Sequence, residues 1–350
     1  MYSREILEQI NSPIKNGKPL EGTWTSAFDK IDLSEIAKPY NVKLPQWMLK
    51  FRIKEWQSFV IQDKGFFLTA LIANMKYFSF AELFFLDKES GEKISEFKIF
   101  PLSAWQATTN LKNSIINART SGMSFHIHNW LDSSSVRLDI NIEPSFYKIP
   151  FTAQLEFDMD KQNSVPLCVN LLYSESRCSY TYKAISAVRG RIVWGNRRIV
   201  LHRSKSSGLF CDNKGFYPYI SNTNCCCAFG FDEKNRYLGF SLSDKTTKDA
   251  NKNNENVLWV NGVLTLLPPV RITQTKDGGK TEWVIQDLEG MVDLTFKPIE
   301  SFENKFAMFF SRFEHKVPVG FFYGALLDKD GQSIKLHDFF GMSENMNFRI

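Results

Sequence analysis

The residue types best suited to chemistry crowd into one stretch, Arg189 to Gly239. Basic residues, aromatics and thiols meet there in RGRIVWGNRRIV, then SSGLFCDNKGFYPY, then NTNCCCAFGF. At its centre Asp212 and Lys214 stand just before the corner Gly215-Phe216-Tyr217-Pro218-Tyr219. A carboxylate beside an ammonium at the mouth of a β-barrel could orient a polar ligand head or move a proton. The same Asp-Asn-Lys-Gly run is also good turn chemistry, in which Asp212 serves only the backbone. Parity decides what Asp212 can do. Neighbours alternate across a strand, so if Cys211 faces a cavity Asp212 faces away from it.

Three further groups are candidates. Asn254-Glu255-Asn256 precedes a strongly apolar strand. If buried, Glu255 has its pKa raised by desolvation and becomes an acid or base; otherwise the trio caps the strand. Glu344, in Gly341-Met342-Ser343-Glu344, lies where it could close a cavity, or is an ordinary strand residue near the chain end. His126 and His128 share a strand face, but no third metal ligand is identifiable. Arg189 and Arg191 have the same spacing and could clamp an anion or simply face water. Of the six cysteines, Cys225-Cys226-Cys227 are adjacent. Adjacent strand residues point to opposite faces, so these cannot all ligate one metal. CxxC spacing is absent, and all six read as free thiols acting as small apolar residues. P-loop, GxGxxG, GxSxG and HExxH patterns are missing, so no metal or cofactor is expected.

Composition narrows the class. Net charge is +5 and pI about 8.7, with basic residues scattered rather than striped; a nucleic-acid partner is not expected. The load of 31 Phe fits sheets with wide inner faces or a greasy cavity, although strand propensity alone also explains it. The opening MYSREILEQINS lacks an apolar signal core. Asn74, Lys76 and Glu82 interrupt the longest greasy run, Phe66 to Leu86, so no membrane-spanning helix is expected. The expected setting is the cytoplasm. The oligomeric state leaves no mark in the sequence.

The elements that must position these residues read as strands. Residues 1–45 are a proline-punctuated lead-in, with a helical turn at Ile6–Ile10 and a short helix capped by Asp32 or Ser34. From Trp47 the pattern is β, beginning with Lys50–Gln62 and continuing through Gly65–Ala73, Tyr77–Leu86 and Ile94–Phe100. Gly195-Asn196 is a two-residue hairpin turn. Lys276–Gly279 reads as another hairpin tip and Phe306–Phe313 as a strand; Trp105–Arg119 alone keeps a weak helical period. Short strands at regular spacing predict a barrel or sandwich. The polar run from Asp158 to Val165 suggests two domains, 1–160 and 161–350.

The ordered set of segments resembles the bacterial family called domain of unknown function 2804. The resemblance rests on Lys54-Glu55-Trp56, Val188-Arg189-Gly190, Trp194-Gly195 and the Gly215–Tyr219 corner. It continues through Asn254–Gly262, Leu267-Pro268-Pro269-Val270, Val292–Pro298 and Gly341–Glu344. That family looks like a distant relative of two-barrel, lipocalin-like (calycin) proteins, among them carotenoid hydratases. The resemblance implies an all-β protein of two lipocalin-like antiparallel β-barrels packed together, with a ligand site in or between them. The chain departs from the family pattern where Cys211 replaces an Asp and where Thr223 and Cys225 replace two Trp.

The expected function is binding of an amphipathic or apolar small molecule, extending to a hydratase or lyase reaction by acid–base chemistry. Asp212, Glu255 and Glu344 are then the catalytic candidates. Cys211, Lys214, Tyr217 and Tyr219 would surround the ligand, with Trp194, Asn254, Asn256 and Trp259. In a carbohydrate-binding or carbohydrate-processing alternative, Trp194, Tyr217, Tyr219 and Trp259 would stack on sugar rings. A third alternative is a degenerate member with a structural role.

Overall fold

A computed structural model describes residues 2–100, 109–145, 149–162, 164–277, 280–308 and 311–349. The chain is all-β, folded as one nearly closed barrel and one half-barrel sheet packed together. The first sheet runs Lys93–Phe100, Ser79–Asp87, Phe66–Asn74, Lys54–Gln62, Ser207–Gly215, Cys178–Trp194, Phe151–Asp158, Ser135–Ile142, Met123–Trp130, Ser114–Thr120. Its two edge strands come back into contact. The second sheet runs Val263–Leu266, Val257–Val260, Tyr237–Ser243, Ile220–Phe231, Ser333–Arg349, Ser311–Leu327, Val292–Met308, Lys280–Asp287, Val270–Asp277. All the pairings in both sheets are antiparallel, which suits the short turns between successive strands.

Strand alternation sorts the side chains into three cores. Phe59, Ile61, Phe85, Phe151, Phe157 and Phe210 fill the first barrel. Leu238, Phe240, Trp283, Leu294, Phe296 and Phe322 fill the second. Between them lies a seam of residues on the opposite faces of the same strands, including Val60, Phe67, Phe84, Leu209, Phe229, Trp259, Phe302 and Val319. Phe84 and Phe302 stack across the seam with ring centres 4.5 Å apart, and Phe80 meets Phe313 at 4.6 Å. The lead-in plugs the first barrel, where Trp24 packs on Phe28 and Phe28 on Tyr180. Apolar side chains thus pack the interiors of both sheets, and a cavity remains in the seam between them.

Several expectations need correction. Gln46–Arg52 is an α-helix, not the start of a strand. It opens after Pro45, is rich in helix formers, and ends with Lys50 and Arg52, whose charges suit the helix C-terminus; the strand begins only at Lys54. Ile6–Ile10 forms no helix. The Asp32 cap is present on a single 3-10 turn, Leu33–Glu35, with its carboxylate accepting from the Ser34 N–H at 3.1 Å. Part of the Trp105–Arg119 period lies outside the described residues, and Ser114–Thr120 within it is a strand. The Gly278-Gly279 tip also lies outside them. Phe306–Phe313 spans the end of one strand and the start of the next, Val292–Met308 and Ser311–Leu327. Strands on both sides of residue 160 share the first sheet, and the change of sheet falls between Gly215 and Ile220. The polar run near 160 joins two strands of that one sheet.

Candidate functional site

A cavity of about 90 Å³ opens in the seam. Its first wall is a single row of registered residues across five strands of the first barrel: Glu82, Leu71, Ser58, Cys211 and Lys183. At about 4.8 Å per strand, Glu82 and Lys183 lie about 19 Å apart along the sheet. The long, curved strands of the second sheet close the other side with His315, Glu344, Cys225 and Ser241. Glu344 and Cys225 are direct cross-strand partners, as are His315 and Asn304.

At one pole three side chains form a chain. His315 Nδ1 lies 2.7 Å from Glu82 Oε2, and its Nε2 lies 3.1 Å from Glu344 Oε2. Asn304 donates to the other oxygen of Glu82 at 3.1 Å. The His315 and Glu82 side chains are 5% and 3% exposed, Glu344 22%, so Glu344 is the member nearest water. Burial opposes charge on His315, but Glu82 and Glu344, through charge and hydrogen bonds, outweigh it and push the imidazole up to about 10. At neutral pH the ring carries both protons, one for each glutamate.

At the other pole Glu255 Oε2 lies 3.7 Å from Lys183 Nζ and 3.4 Å from Lys245 Nζ. Burial would raise the carboxyl, but the two ammonium groups, with hydrogen bonds from Ser243 and Thr181, pull it down to about 2. Both lysines, although buried, are held above the usual ammonium range by Glu255. Glu255 is therefore a fixed counter-ion here rather than the raised acid expected from burial alone. The flanking asparagines hold its loop. Asn256 donates to Pro268 O at 2.9 Å and accepts from Ser243 N at 2.7 Å; the Asn254 side chain accepts from Asn256 N at 2.8 Å. Arg4 reaches back to the carbonyls of Asn254 and Asn256.

Parity places Cys211 in the cavity wall and Asp212 inside the first barrel. There Asp212 accepts from Gln57 Nε2 at 3.0 Å. Burial raises its carboxyl, opposed by Lys214 and Gln57. Lys214 is buried two places along the same strand. Tyr217 lines the cavity, and Tyr219 is exposed, accepting from Arg349 at 3.0 Å. Trp194 is buried against Phe85, and Trp259 donates to Val165 O at 2.7 Å, so neither is free to stack on a sugar at this cavity. Of the expected site residues, the structure thus gathers Cys211, Tyr217, Glu255 and Glu344. Glu82, Lys183, Lys245 and His315 join them without having been singled out. The signal available was a charged residue inside an apolar strand, as Glu82 is in SFAELFFLD and Lys183 in SYTYKAIS.

Burial pushes the Cys211 thiol up to about 12, and raises Cys225 and Cys227 well above the usual range. All six cysteines are free. His126 and His128 pack together with ring centres 4.3 Å apart, and no group of three metal-ligating side chains occurs among the described residues. No helix among them is long and apolar enough to cross a membrane.

Fold and site define a two-barrel β-protein with a charged cavity at its seam. The pattern of domain of unknown function 2804 matches residues 3–349, and the chain belongs to that family. Among solved structures it is similar to CghA, with a TM-score of 0.50 and 11% identity over 84% of this chain and 87% of that one. It is also similar to kievitone hydratase from Nectria haematococca, with a TM-score of 0.45 and 10% identity over 85% and 88%. No protein with a curated description matches the chain by sequence.

Proposed function

We propose that the seam cavity binds an amphipathic small molecule and that Glu344 and His315 move protons on it, as in a hydratase or lyase. The observation that carries this reading is the Glu82–His315–Glu344 chain lining an open cavity. A base oriented by a second group, itself anchored by a third, is the arrangement that proton transfer requires. In loss of water from a ligand, Glu344 takes the C–H proton, the C–H electrons form the double bond, and the C–O bond breaks. The departing hydroxide takes the Nε2 proton of His315 and leaves as water. Glu344 then returns its proton to the imidazole, and both groups are as they began. Hydration is the same sequence reversed.

Pockets that enclose a drug-sized ligand usually measure about 300–1,000 Å³. At about 90 Å³ this cavity takes the reacting end of a molecule and leaves the remainder at the mouth. The free thiols suit a reducing compartment, and we take the cytoplasm as the setting.

The test begins with native mass spectrometry of gently purified protein to find a carried molecule. That molecule is then incubated with the protein in deuterated water. Wild type should incorporate deuterium at carbon or add or remove one water. Glu344→Gln should slow this by about 10²–10⁴-fold while still binding the molecule and melting near the wild-type temperature. If the variant keeps the rate, or loses only thermal stability, the chain of three is a seam clamp and the reading fails.

A further inference from the structure

The lysine pole takes no part in the proton transfer proposed above. Two ammonium groups face one carboxylate there, a surplus of one positive charge on side chains that are 8%, 10% and 5% exposed for Lys183, Lys245 and Glu255. The opposite surplus sits at the other pole, where Glu82 and Glu344 both hold His315. An ammonium has three donor hydrogens. Glu255 occupies one on Lys245 at 3.4 Å and Ser241 one on Lys183 at 3.1 Å, while Glu255 meets Lys183 as an ion pair at 3.7 Å. Tyr217 stands beside them, with Lys245 Nζ 5.6 Å from the centre of its ring. Its hydroxyl is buried, belongs to a residue lining the cavity, and has no hydrogen-bond partner among the described residues. A buried hydroxyl without a partner has given up its hydrogen bond to water, so an acceptor brought to it would be held firmly. Half-buried Trp56 and Met346 and buried Phe348 also line the cavity as an apolar flank, with Trp56 packed on Tyr217 at 4.9 Å between ring centres.

We propose that the ligand is a small amphipathic monocarboxylate whose carboxylate sits between Lys183, Lys245 and the Tyr217 hydroxyl, with its apolar part against Trp56, Met346 and Phe348. This rests on the seam cavity being a ligand site, and adds the charge and polarity of what enters it. A carboxylate has two acceptor oxygens, one for an ammonium and one for the phenol hydroxyl. Its single charge matches the surplus at this pole. A phosphate monoester would bring a second negative charge close to Glu255 with no cation left to offset it. A cationic head would add to the surplus positive charge between Lys183 and Lys245, so it does not suit this pole.

Titration calorimetry of the full chain with octanoate, octanol and octyl phosphate tests this. Octanoate should bind about tenfold or more tightly than either of the others, the ratio expected for one charge-assisted hydrogen bond. Lys245→Met should weaken octanoate about tenfold and leave octanol unchanged. Tyr217→Phe removes only the unpartnered hydroxyl, so it should keep the fold and weaken octanoate several-fold. Equal binding of octanol and octanoate, tighter binding of octyl phosphate, or wild-type octanoate affinity in Tyr217→Phe overturns the carboxylate assignment and leaves the cavity as a ligand site for another head group. Binding of none of the three overturns the assignment and removes support for the site as well.

Discussion

Glu255 shows how far the chemistry of one residue depends on its neighbours. Burial alone makes a carboxyl reluctant to ionise, yet here two ammonium groups reverse the outcome and hold it near 2. A carboxyl whose folded pKa lies below its unfolded value stabilises the fold above the unfolded pKa, and that contribution is lost as pH falls toward the folded one. Glu255→Gln should therefore destabilise the protein by about 3–5 kcal/mol at pH 7, because two buried ammonium groups lose their counter-ion. The gap between variant and wild type should narrow as pH falls from about 4.5 toward 2, read by urea unfolding across that range. Residue identity was legible in the sequence, but orientation was not. All nine positions of Ser207–Gly215 are buried, one face in the barrel and the other in the seam. No alternation of polar and apolar residues remains to show that Cys211, rather than Asp212, faces the cavity. Ser79–Asp87 is buried throughout for the same reason, which hides Glu82 among phenylalanines.

At the scale of elements, turns were easier to read than strand ends. Gly195-Asn196 joins its two strands in the register expected, Trp194 opposite Arg197, because few residues other than Gly and Asn tolerate that tight a turn. The helix Gln46–Arg52 was missed because aromatic residues suited to strands share its sequence. The segment that carries Glu344 depends on a close approach of backbones. A methyl group on Gly341 would lie 2.3 Å from Cys227 O and 2.5 Å from the Ala228 side chain. Gly341→Ala should push apart the strands Ile220–Phe231 and Ser333–Arg349 and cost about 1–3 kcal/mol. It should also displace Glu344, three residues along, so ligand binding falls further than the melt alone would account for. Thermal denaturation beside calorimetric titration of the same sample separates the two effects.

For the whole molecule, a fold of paired barrels was foreseeable from strand rhythm and family resemblance, but the division between them was not. A polar run marks solvent exposure, and Asp158–Val165 is a connection on the surface of one sheet, whereas the real crossing, 216–219, is short and partly buried. Phe216 packs in the first barrel while its neighbour Tyr217 packs in the seam, so the crossing is anchored on both sides. Residues 1–217 expressed alone should leave Phe67, Phe80 and Phe84 exposed and be recovered largely aggregated, or as a species that binds a hydrophobic dye. Such a fragment should bind no octanoate, since His315, Glu344 and Lys245 are absent from it. Recovery of a compact, dye-silent fragment would show that the first barrel does not need its partner.

The three 17-residue strands, Val292–Met308, Ser311–Leu327 and Ser333–Arg349, each run from the packed centre of the second barrel to the edge of the cavity, with register shifts at Pro298/Glu300 and Phe322/Gly324. Motion at the site is thereby coupled to the second barrel. Amide hydrogens around His315 should exchange together with those of the second barrel's core, which native-state hydrogen exchange would read out. A visiting molecule should then enter by rotamer changes among lining side chains such as Trp56 and Met346, with little movement of the surrounding backbone.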